Sequence, residues 1–271
     1  MIKAVIIGAA GRMGRTIVKV IQETEGIECL AGVENTGHPS VGKDLGEVAG
    51  LGSVGVKITD DLSLVIKEAD VLIDFTTPSS SLYNMELASY FNKPMVVGTT
   101  GFDEKQKEKI LEFVQSFPCV LSPNMSLGVN LLFKLVEMVA GILGPGYDVE
   151  ILEFHHRGKR DAPSGTALRL GYRIAQALGR KFEEVAIYGR KGEVGPRSHG
   201  EIGILALRGG DVVGDHTVIF ATEGERLELT HRASSRETFA RGAVKAALWV
   251  VDKPPGLYDM EDVLGLRDRG A

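Results

Sequence analysis

Between Glu153 and Ala167 the chain reads EFHHRGKRDAPSGTA. His155 and His156 stand side by side, and Arg157, Lys159 and Arg160 follow within a few positions. An imidazole titrates near neutral pH and can give or take a proton there. A lysine ammonium offers three N–H donors on a mobile stem. Ser164 is placed to cap a helix whose first N–H groups would belong to Gly165 and Thr166. Imidazole, ammonium and a helix N-terminus all favour anions, so phosphate or carboxylate is the guest this stretch suits. The bland alternative is a solvated basic loop. No metal is expected. Adjacent strand residues point to opposite sides, and Cys or carboxylate ligands at zinc-site spacing are lacking around this pair.

A second constellation opens the chain. IIGAAGRMGR sets Gly8, Gly11 and Gly14 between an apolar run and a helical pattern, with Ala9, Ala10, Arg12 and Met13 completing the turn. The spacing G-x-x-G-x-x-G is a relative of the dinucleotide fingerprint, with Ala10 where the strict pattern has glycine. The physics is shared: a tight turn, backbone N–H groups near a pyrophosphate, and the positive end of a helix dipole. Glu34 follows Gly14 by 20 residues, at the end of the next strand-like run. A carboxylate there can hold the hydroxyls of an adenine ribose. A ligand-free tight turn is the competing reading. Gly98, Thr99 and Thr100 end another strand-like run, Ser122, Pro123, Asn124 and Met125 a third, and Asp74 to Pro78 (DFTTP) a fourth. Ligands of open α/β sheets bind outside such carboxyl ends. Each segment taken singly could be only a polar loop.

The elements that must position these residues are legible as runs. Ile2 to Ile7, Cys29 to Val33, Val71 to Phe75, Met95 to Gly98 and Cys119 to Leu121 read as buried parallel strands. Helical stretches alternate with them: the one after Gly11, Leu62 to Glu68, Leu82 to Phe91 and Glu104 to Ser116. That alternation predicts βαβ units in a Rossmann-type parallel sheet. An apolar helix over Asn130 to Leu143 precedes a change of pattern. A strand over Val149 to Phe154 and a helix over Ser164 to Leu178 come next. Three strands follow, Ile202 to Arg208, Thr217 to Thr222 and Leu227 to Arg232, with turn-like RGGDVVGDH and EGE between them. Hairpin-linked strands imply a mixed or antiparallel sheet and an α+β second domain. A last amphipathic helix covers Thr238 to Val251, before the tail DKPPGLYDMEDVLGL.

The chain has 271 residues, 44% hydrophobic and 25% charged, with a formal net charge of −5. That is not a nucleic-acid-binding surface. Cys29 and Cys119 are the only cysteines, both in apolar runs, and read as buried thiols in a reducing compartment. The N-terminus lacks the pattern of a signal peptide, and no apolar run reaches the roughly 18 residues of a membrane span. The expectation is a cytoplasmic protein.

The quoted segments, GAAGRMGR, DFTTP, GTTG, SPNMS, RGGDVVGDHTV and above all EFHHRGKRDAPSGTA, together resemble the dihydrodipicolinate reductase family, in that family's order along the whole chain. The resemblance implies reduction of 4-hydroxy-tetrahydrodipicolinate by NAD(P)H in diaminopimelate and lysine biosynthesis. It implies a Rossmann domain, residues 1–126 with 236–271, and a substrate-binding domain, 127–235, that builds a homotetramer. His155 then matches the proton donor/acceptor and Lys159 a second proton donor. His156, Gly165 and Thr166 match the holders of substrate carboxylates. Gly8, Ala9, Ala10, Gly11, Arg12, Met13, Glu34, Gly98, Thr99, Thr100, Ser122, Pro123, Asn124 and Met125 match the cofactor segments.

One departure bears on the cofactor. Many family members carry arginine after the strand-end acid, whereas Asn35 follows Glu34 here. An amide cannot neutralise a 2′-phosphate, so NADH is expected over NADPH, with Arg12 and Lys43 the nearest cations in sequence. Two rivals remain. A semialdehyde dehydrogenase needs a cysteine nucleophile at a strand-to-helix junction, and neither cysteine is so placed. A non-catalytic dinucleotide sensor would have no use for HHRGK and PSGT.

Overall fold

A computed structural model describes residues 1–267. In chain order the strands are β1 (Ile2–Ile7), β2 (Ile27–Val33), β3 (Ile58–Thr59), β4 (Val71–Asp74), β5 (Met95–Val97), β6 (Pro118–Leu121), β7 (Asp148–His155), β8 (Ala186–Tyr188), β9 (Ile202–Arg208), β10 (Gly214–Thr222), β11 (Glu225–Ala233) and β12 (Gly256–Tyr258). The helices are α1 (Arg12–Gln22), α2 (Leu45–Ala49), α3 (Pro78–Phe91), α4 (Glu104–Phe113), α5 (Leu127–Leu143), α6 (Gly165–Ala177), α7 (Phe182–Val185), α8 (Glu237–Val250) and α9 (Met260–Val263). The chain divides into two compact units, Met1–Leu127 with Arg236–Ala271, and Gly128–Ser235. The last residues of the expected Rossmann domain, 268–271, lie outside the described ones.

Among the described residues the first unit holds a sheet of seven strands, β12-β6-β5-β4-β1-β2-β3. Every pairing in it is parallel. Successive residues of a strand face opposite sides, and β1 uses both. Ala4 and Ile6 join a core with Ile17 and Ile21 of α1 and with Ala243, Val244 and Ala247 of α8. Val5 and Ile7 join the core on the other side, with Met85 and Ala88 of α3 and Ile110 of α4. This is why the strands read as unbroken apolar runs rather than as alternations. Gly242 lets α8 close in: a Cβ there would lie 1.7 Å from the Met125 carbonyl oxygen.

The second unit is a mixed sheet, β11-β10-β7-β9-β8. The pairs β10/β11 and β10/β7 are antiparallel, and β7/β9 and β8/β9 are parallel. Its core joins Val149 and Ile151 of β7, Ile204 of β9 and Val218 and Phe220 of β10 to Phe133 and Val136 of α5 and Leu170 and Ile174 of α6.

The fold class is as expected, but four local readings change. RGGDVVGDH does not turn a hairpin, because β7 lies between β9 and β10. The segment instead wraps the end of β7: His156 N–H donates to the Val212 carbonyl (2.7 Å) and Gly209 N–H to that of His155 (3.0 Å). Leu62 to Glu68 forms two short 3-10 turns, Leu62–Leu64 and Ile66–Glu68, in place of one α-helix. The C-terminal tail supplies β12, which pairs in parallel with β6, and a capped α9. Finally, Leu127–Gly146, 20 residues with a mean hydropathy of 1.7, is long and apolar enough to cross a membrane by length and composition. This differs from the expectation that no apolar run reaches such a length. The helix buries Val129, Leu132, Phe133, Val136 and Ala140 in the second core, the use a globular fold makes of an apolar helix.

One buried group ties this second core to pH. His216 on β10 is 3% exposed, opposite Glu153 of β7 in the register. Its Nε2 lies 3.1 Å from the Ser164 hydroxyl. Burial, aided by neighbouring His155, pushes His216 down to about 3. The unfolded chain therefore takes up this proton near the ordinary value and the folded chain far below it. Stability is complete above pH about 6.5 and is lost as pH falls toward 3, at up to about 1.4 kcal/mol per pH unit from this group. Urea unfolding of wild type is expected to show that slope between pH 6.5 and 4, and His216→Gln a flatter one. Identical slopes would remove His216 as the source.

Candidate active site

In the second unit the chemistry gathers at the carboxyl end of β7. The strand buries Val149, Ile151, Glu153 and His155 on alternate positions. Two apolar residues are thus followed, on the same face, by a carboxylate and an imidazole. Glu153 has no exposure, and His155 is 9% exposed. The Glu153 carboxylate meets His155 Nδ1 in a short hydrogen bond. It also accepts both terminal N–H groups of Arg208, each at 2.8 Å, and the Ser164 N–H at 3.1 Å. Parallel pairing of β7 with β9 sets Arg208 opposite His155, and so delivers the guanidinium. Burial pushes the Glu153 carboxyl up, but Arg208 and His155 overcome this and hold it below the ordinary range. Burial also draws His155 below its usual value, against the pull of Glu153.

The loop after β7 is fastened to the same group. Arg208 donates to the Asp161 carbonyl at 2.7 Å. Lys159 Nζ sits 2.9 Å from each carboxylate oxygen of Asp161. That hydrogen bond is the main reason the Asp161 carboxyl lies low. Ser164 is the N-cap of α6, its hydroxyl accepting the Ala167 N–H at 3.2 Å. At Gly165 an added Cβ would meet nothing within 4 Å, so the helix start is open on that side. His155, His156, Lys159, Gly165 and Thr166 thus fall on one continuous structure: strand end, loop and helix N-terminus. The arrangement offers positive charge, backbone donors and an imidazole that can exchange a proton. Sequence reading missed Glu153, Arg208, Asp161 and His216, whose roles arise from cross-strand register and loop path.

In the first unit the glycine turn leads from β1 into α1. Gly8 has φ +76°, and a Cβ there would come 2.9 Å from the Thr76 methyl. A Cβ at Gly14 would lie 2.2 Å from the Gly8 carbonyl oxygen. The N-cap of α1 is Gly11, with no side chain to cap the first turn and no acid within it. Backbone donors at that end therefore suit a pyrophosphate. Glu34 accepts the Ala10 N–H at 2.7 Å, which fixes its carboxylate beside the turn. A cavity of about 300 Å³ is lined by Gly8, Glu34, Asn35, Asp60, Thr76 and Tyr83, among others. The residues present fit an adenine dinucleotide: a glycine turn, an open helix end and an acid for the ribose.

The other strand ends join it through a buried polar network. Asp74 is fully buried and accepts the Thr76 N–H (2.9 Å), the Thr76 hydroxyl (2.6 Å) and the Asn84 amide (2.8 Å). Burial raises its pKa against those bonds. Thr99 accepts the Thr76 N–H at 3.0 Å and the Ser81 hydroxyl at 2.8 Å. Its hydroxyl is therefore engaged inside the protein, while Thr100 is exposed. Gly98 must be glycine, because a Cβ would enter the Phe75 ring at 2.0 Å. A second cavity, about 530 Å³, unites Thr99, Thr100 and Pro123 with Phe102, Leu121 and Leu257. Ser122 bonds the Asn124 carbonyl at 2.9 Å. Met125 lies in the core at 1% exposure, so its side chain belongs to packing. Ala9 is likewise a core residue, Met13 packs against that core, and Arg12 is exposed. Among the described residues no group of three or more His, Cys, Asp and Glu is arranged to hold a metal.

Comparison with known proteins agrees with this geometry. The family model for the dihydrodipicolinate reductase N-terminus matches residues 2–125, and that for the C-terminus matches 128–264. The 4-hydroxy-tetrahydrodipicolinate reductase of Syntrophus aciditrophicus is 54% identical over 98% of this chain and 100% of its own. That of Citrifermentans bemidjiense is 52% identical with the same coverage. A solved dihydrodipicolinate reductase from Paenisporosarcina sp. TG-14, with dipicolinate bound, superposes with a TM-score of 0.76. It shares 25% identity and spans 96% of this chain and 97% of its own. With both halves matched in order, and the histidine strand and glycine turn built as described, the chain belongs to the dihydrodipicolinate reductase family.

Proposed function

We propose that this protein is an NAD(P)H-dependent 4-hydroxy-tetrahydrodipicolinate reductase, acting in diaminopimelate and lysine biosynthesis. The observation that carries the reading is the β7 end, where His155, the loop bearing Lys159 and the N-terminus of α6 follow one another along a continuous structure, a set of groups suited to anions and to proton exchange. The substrate is a cyclic dicarboxylate, and dipicolinate bound to a family member is of the same kind. His156, Lys159 and the backbone at Gly165 and Thr166 host its carboxylates. The glycine turn from Gly8 to Met13 and Glu34 would hold a nicotinamide dinucleotide, and that group would supply hydride to one carbon of the ring's conjugated system. The electron density that results is met by a proton from the second unit. Lys159 and His155 are the groups we assign to give it, and both meet carboxylates, Asp161 and Glu153. NADH oxidation by the purified protein, with and without the product of dihydrodipicolinate synthase, tests the reading. Binding of NADH without turnover would favour a dinucleotide sensor.

The same residues support finer readings. On the cofactor side, Glu34 and Asp60 line the cavity of about 300 Å³ with Asn35, and no Lys or Arg is among its lining residues. Arg15 donates to the Ala10 carbonyl at 2.7 Å, and Arg12, in the turn itself, is exposed. A 2′-phosphate would meet carboxylates there, so NADH is the preferred cofactor and NADPH remains usable. The segments Gly8 to Met13, Gly98 to Thr100 and Ser122 to Met125 act mainly through backbone. In the second unit, Leu205 and Leu207 of β9 and Leu227 of β11 are 38%, 47% and 41% exposed. Apolar residues left in water on one sheet call for a partner, and the assembly proposed is a homotetramer built through this unit. The compartment proposed is the cytoplasm.

Three outcomes are expected. Lys159→Ala loses about 10²- to 10⁴-fold in turnover while NADH binding, read by fluorescence, is unchanged; a near-wild-type kcat removes Lys159 from proton transfer. In kcat/KM, wild type favours NADH over NADPH by about ten- to a hundredfold, and Asn35→Arg narrows the ratio. A wild-type preference for NADPH sinks that reading. Light scattering at micromolar concentration gives the mass of four chains, and a monomer mass rules out the assembly.

A further inference from the structure

We infer that Glu153 is a positioning residue that fixes the proton of neutral His155 on Nδ1, so that Nε2 is the atom at which His155 exchanges a proton during the reaction. The inference rests on the proposed role of His155 and adds the group that sets its chemistry. Four observations carry it.

Glu153 lies two residues before His155 on the same buried face of β7, and its carboxylate meets Nδ1 directly. An ionised carboxylate only accepts, so the hydrogen in that bond belongs to Nδ1. Arg208 keeps the carboxylate ionised: its two N–H groups occupy both oxygens at 2.8 Å, and the Ser164 N–H adds a third donor at 3.1 Å. The opposite edge of the ring lies against Gly214, where a side chain would crowd it. A Cβ there would stand 3.0 Å from His155 Nε2 and 3.3 Å from its Cδ2. The ring is thus held from one side and given space on the other.

Proton traffic then has a fixed path. Protonated His155 carries hydrogen on both nitrogens and gives the Nε2 proton to the reduced ring. The N–H bond breaks, its electron pair stays on Nε2, and the Nδ1–H remains hydrogen-bonded to Glu153. Solvent returns the Nε2 proton. The charged and titratable groups facing the ring are Glu153 on its own strand, Arg208 on β9, His216 on β10 and Lys159 on the following loop. Among these only Glu153 favours the protonated ring, so its loss lowers the pH at which His155 takes its second proton. The same carboxylate also holds the α6 N-cap through Ser164, placing the proton-exchanging ring and the anion-hosting helix on one support.

The test is nitrogen NMR of ¹⁵N-histidine-labelled full-length protein, together with kinetics of Glu153→Gln and His155→Gln. Neutral His155 in wild type is expected to carry its proton on Nδ1. In Glu153→Gln that preference is lost, kcat falls by about 10²-fold or more, and the alkaline limb of the kcat profile, where His155 loses its second proton, moves to lower pH. A neutral wild-type His155 with its proton on Nε2 overturns the inference, even if Glu153→Gln fails to fold. Wild-type kcat and tautomer in Glu153→Gln overturn it as well. Full turnover in His155→Gln would instead defeat the role of His155 itself, a separate failure read from a separate variant.

Discussion

A carboxylate without any exposure to water has to be matched by donors. The effective penalty for burying one such ion is several kcal/mol after relaxation. Glu153 is such a group, and much of the second unit is arranged around it. Arg208 reaches it because β9 runs parallel to β7 in a register that pairs Arg208 with His155. The Ser164 N–H reaches it because α6 begins under the end of β7. His155 reaches it because residues two apart in a strand share a face. The wrapping of 209–212 around the strand end follows from the same β9–β7–β10 order, which gives the β9-to-β10 connection β7 to pass. Strand order, register, N-cap and loop path therefore converge on one side chain.

The first unit uses a different strategy. Its glycine turn and strand ends shape backbone rather than present charged side chains. Gly8, Gly14 and Gly98 sit where a Cβ would strike Thr76, the Gly8 carbonyl or the Phe75 ring. Such positions let the main chain pack closely and leave few side-chain decisions to be made there. The decisions lie one layer deeper. Asp74, Thr76, Asn84, Ser81 and Thr99 form a buried hydrogen-bonded set that links the ends of β4 and β5. A fully satisfied network of this kind holds a single loop conformation, which a site built from main-chain donors requires. The two units thus differ in means: the first shapes backbone with glycines and a buried polar network, and the second gathers charged side chains around Glu153.

Side-chain chemistry and local pattern were legible from the sequence. The apolar runs of β1, β4 and β5, the glycine turn, the acid at Glu34 and the HHRGK–PSGT stretch carry their meaning within a few residues. Periodicity, turn chemistry and the needs of an anion are local, and the resemblance to the family in order along the chain added the substrate class. Apolar runs bounded by turn residues, such as Ile2–Ile7 and Ile202–Arg208, coincide with the observed strands. Short edge elements such as β3, β8 and β12 did not stand out, because two or three residues carry no period.

Tertiary structure decided what lies between segments distant in sequence. That β7 separates β9 from β10 is a matter of sheet order, and turn residues alone are compatible with a hairpin. Glu153 reads as an ordinary acid in EFHH until Arg208, 55 positions later, is brought to its carboxylate. The Thr99 hydroxyl reads as a ligand contact until Thr76 and Ser81 take it, and the Met125 side chain until the first core encloses it, which leaves the backbone of both positions. Lys159 reads as a free cation until Asp161 turns back to meet it. The physical reason is the same throughout: sequence specifies which groups a residue can donate, accept or bury, whereas the partner that claims each group is chosen by the register and packing of the folded chain.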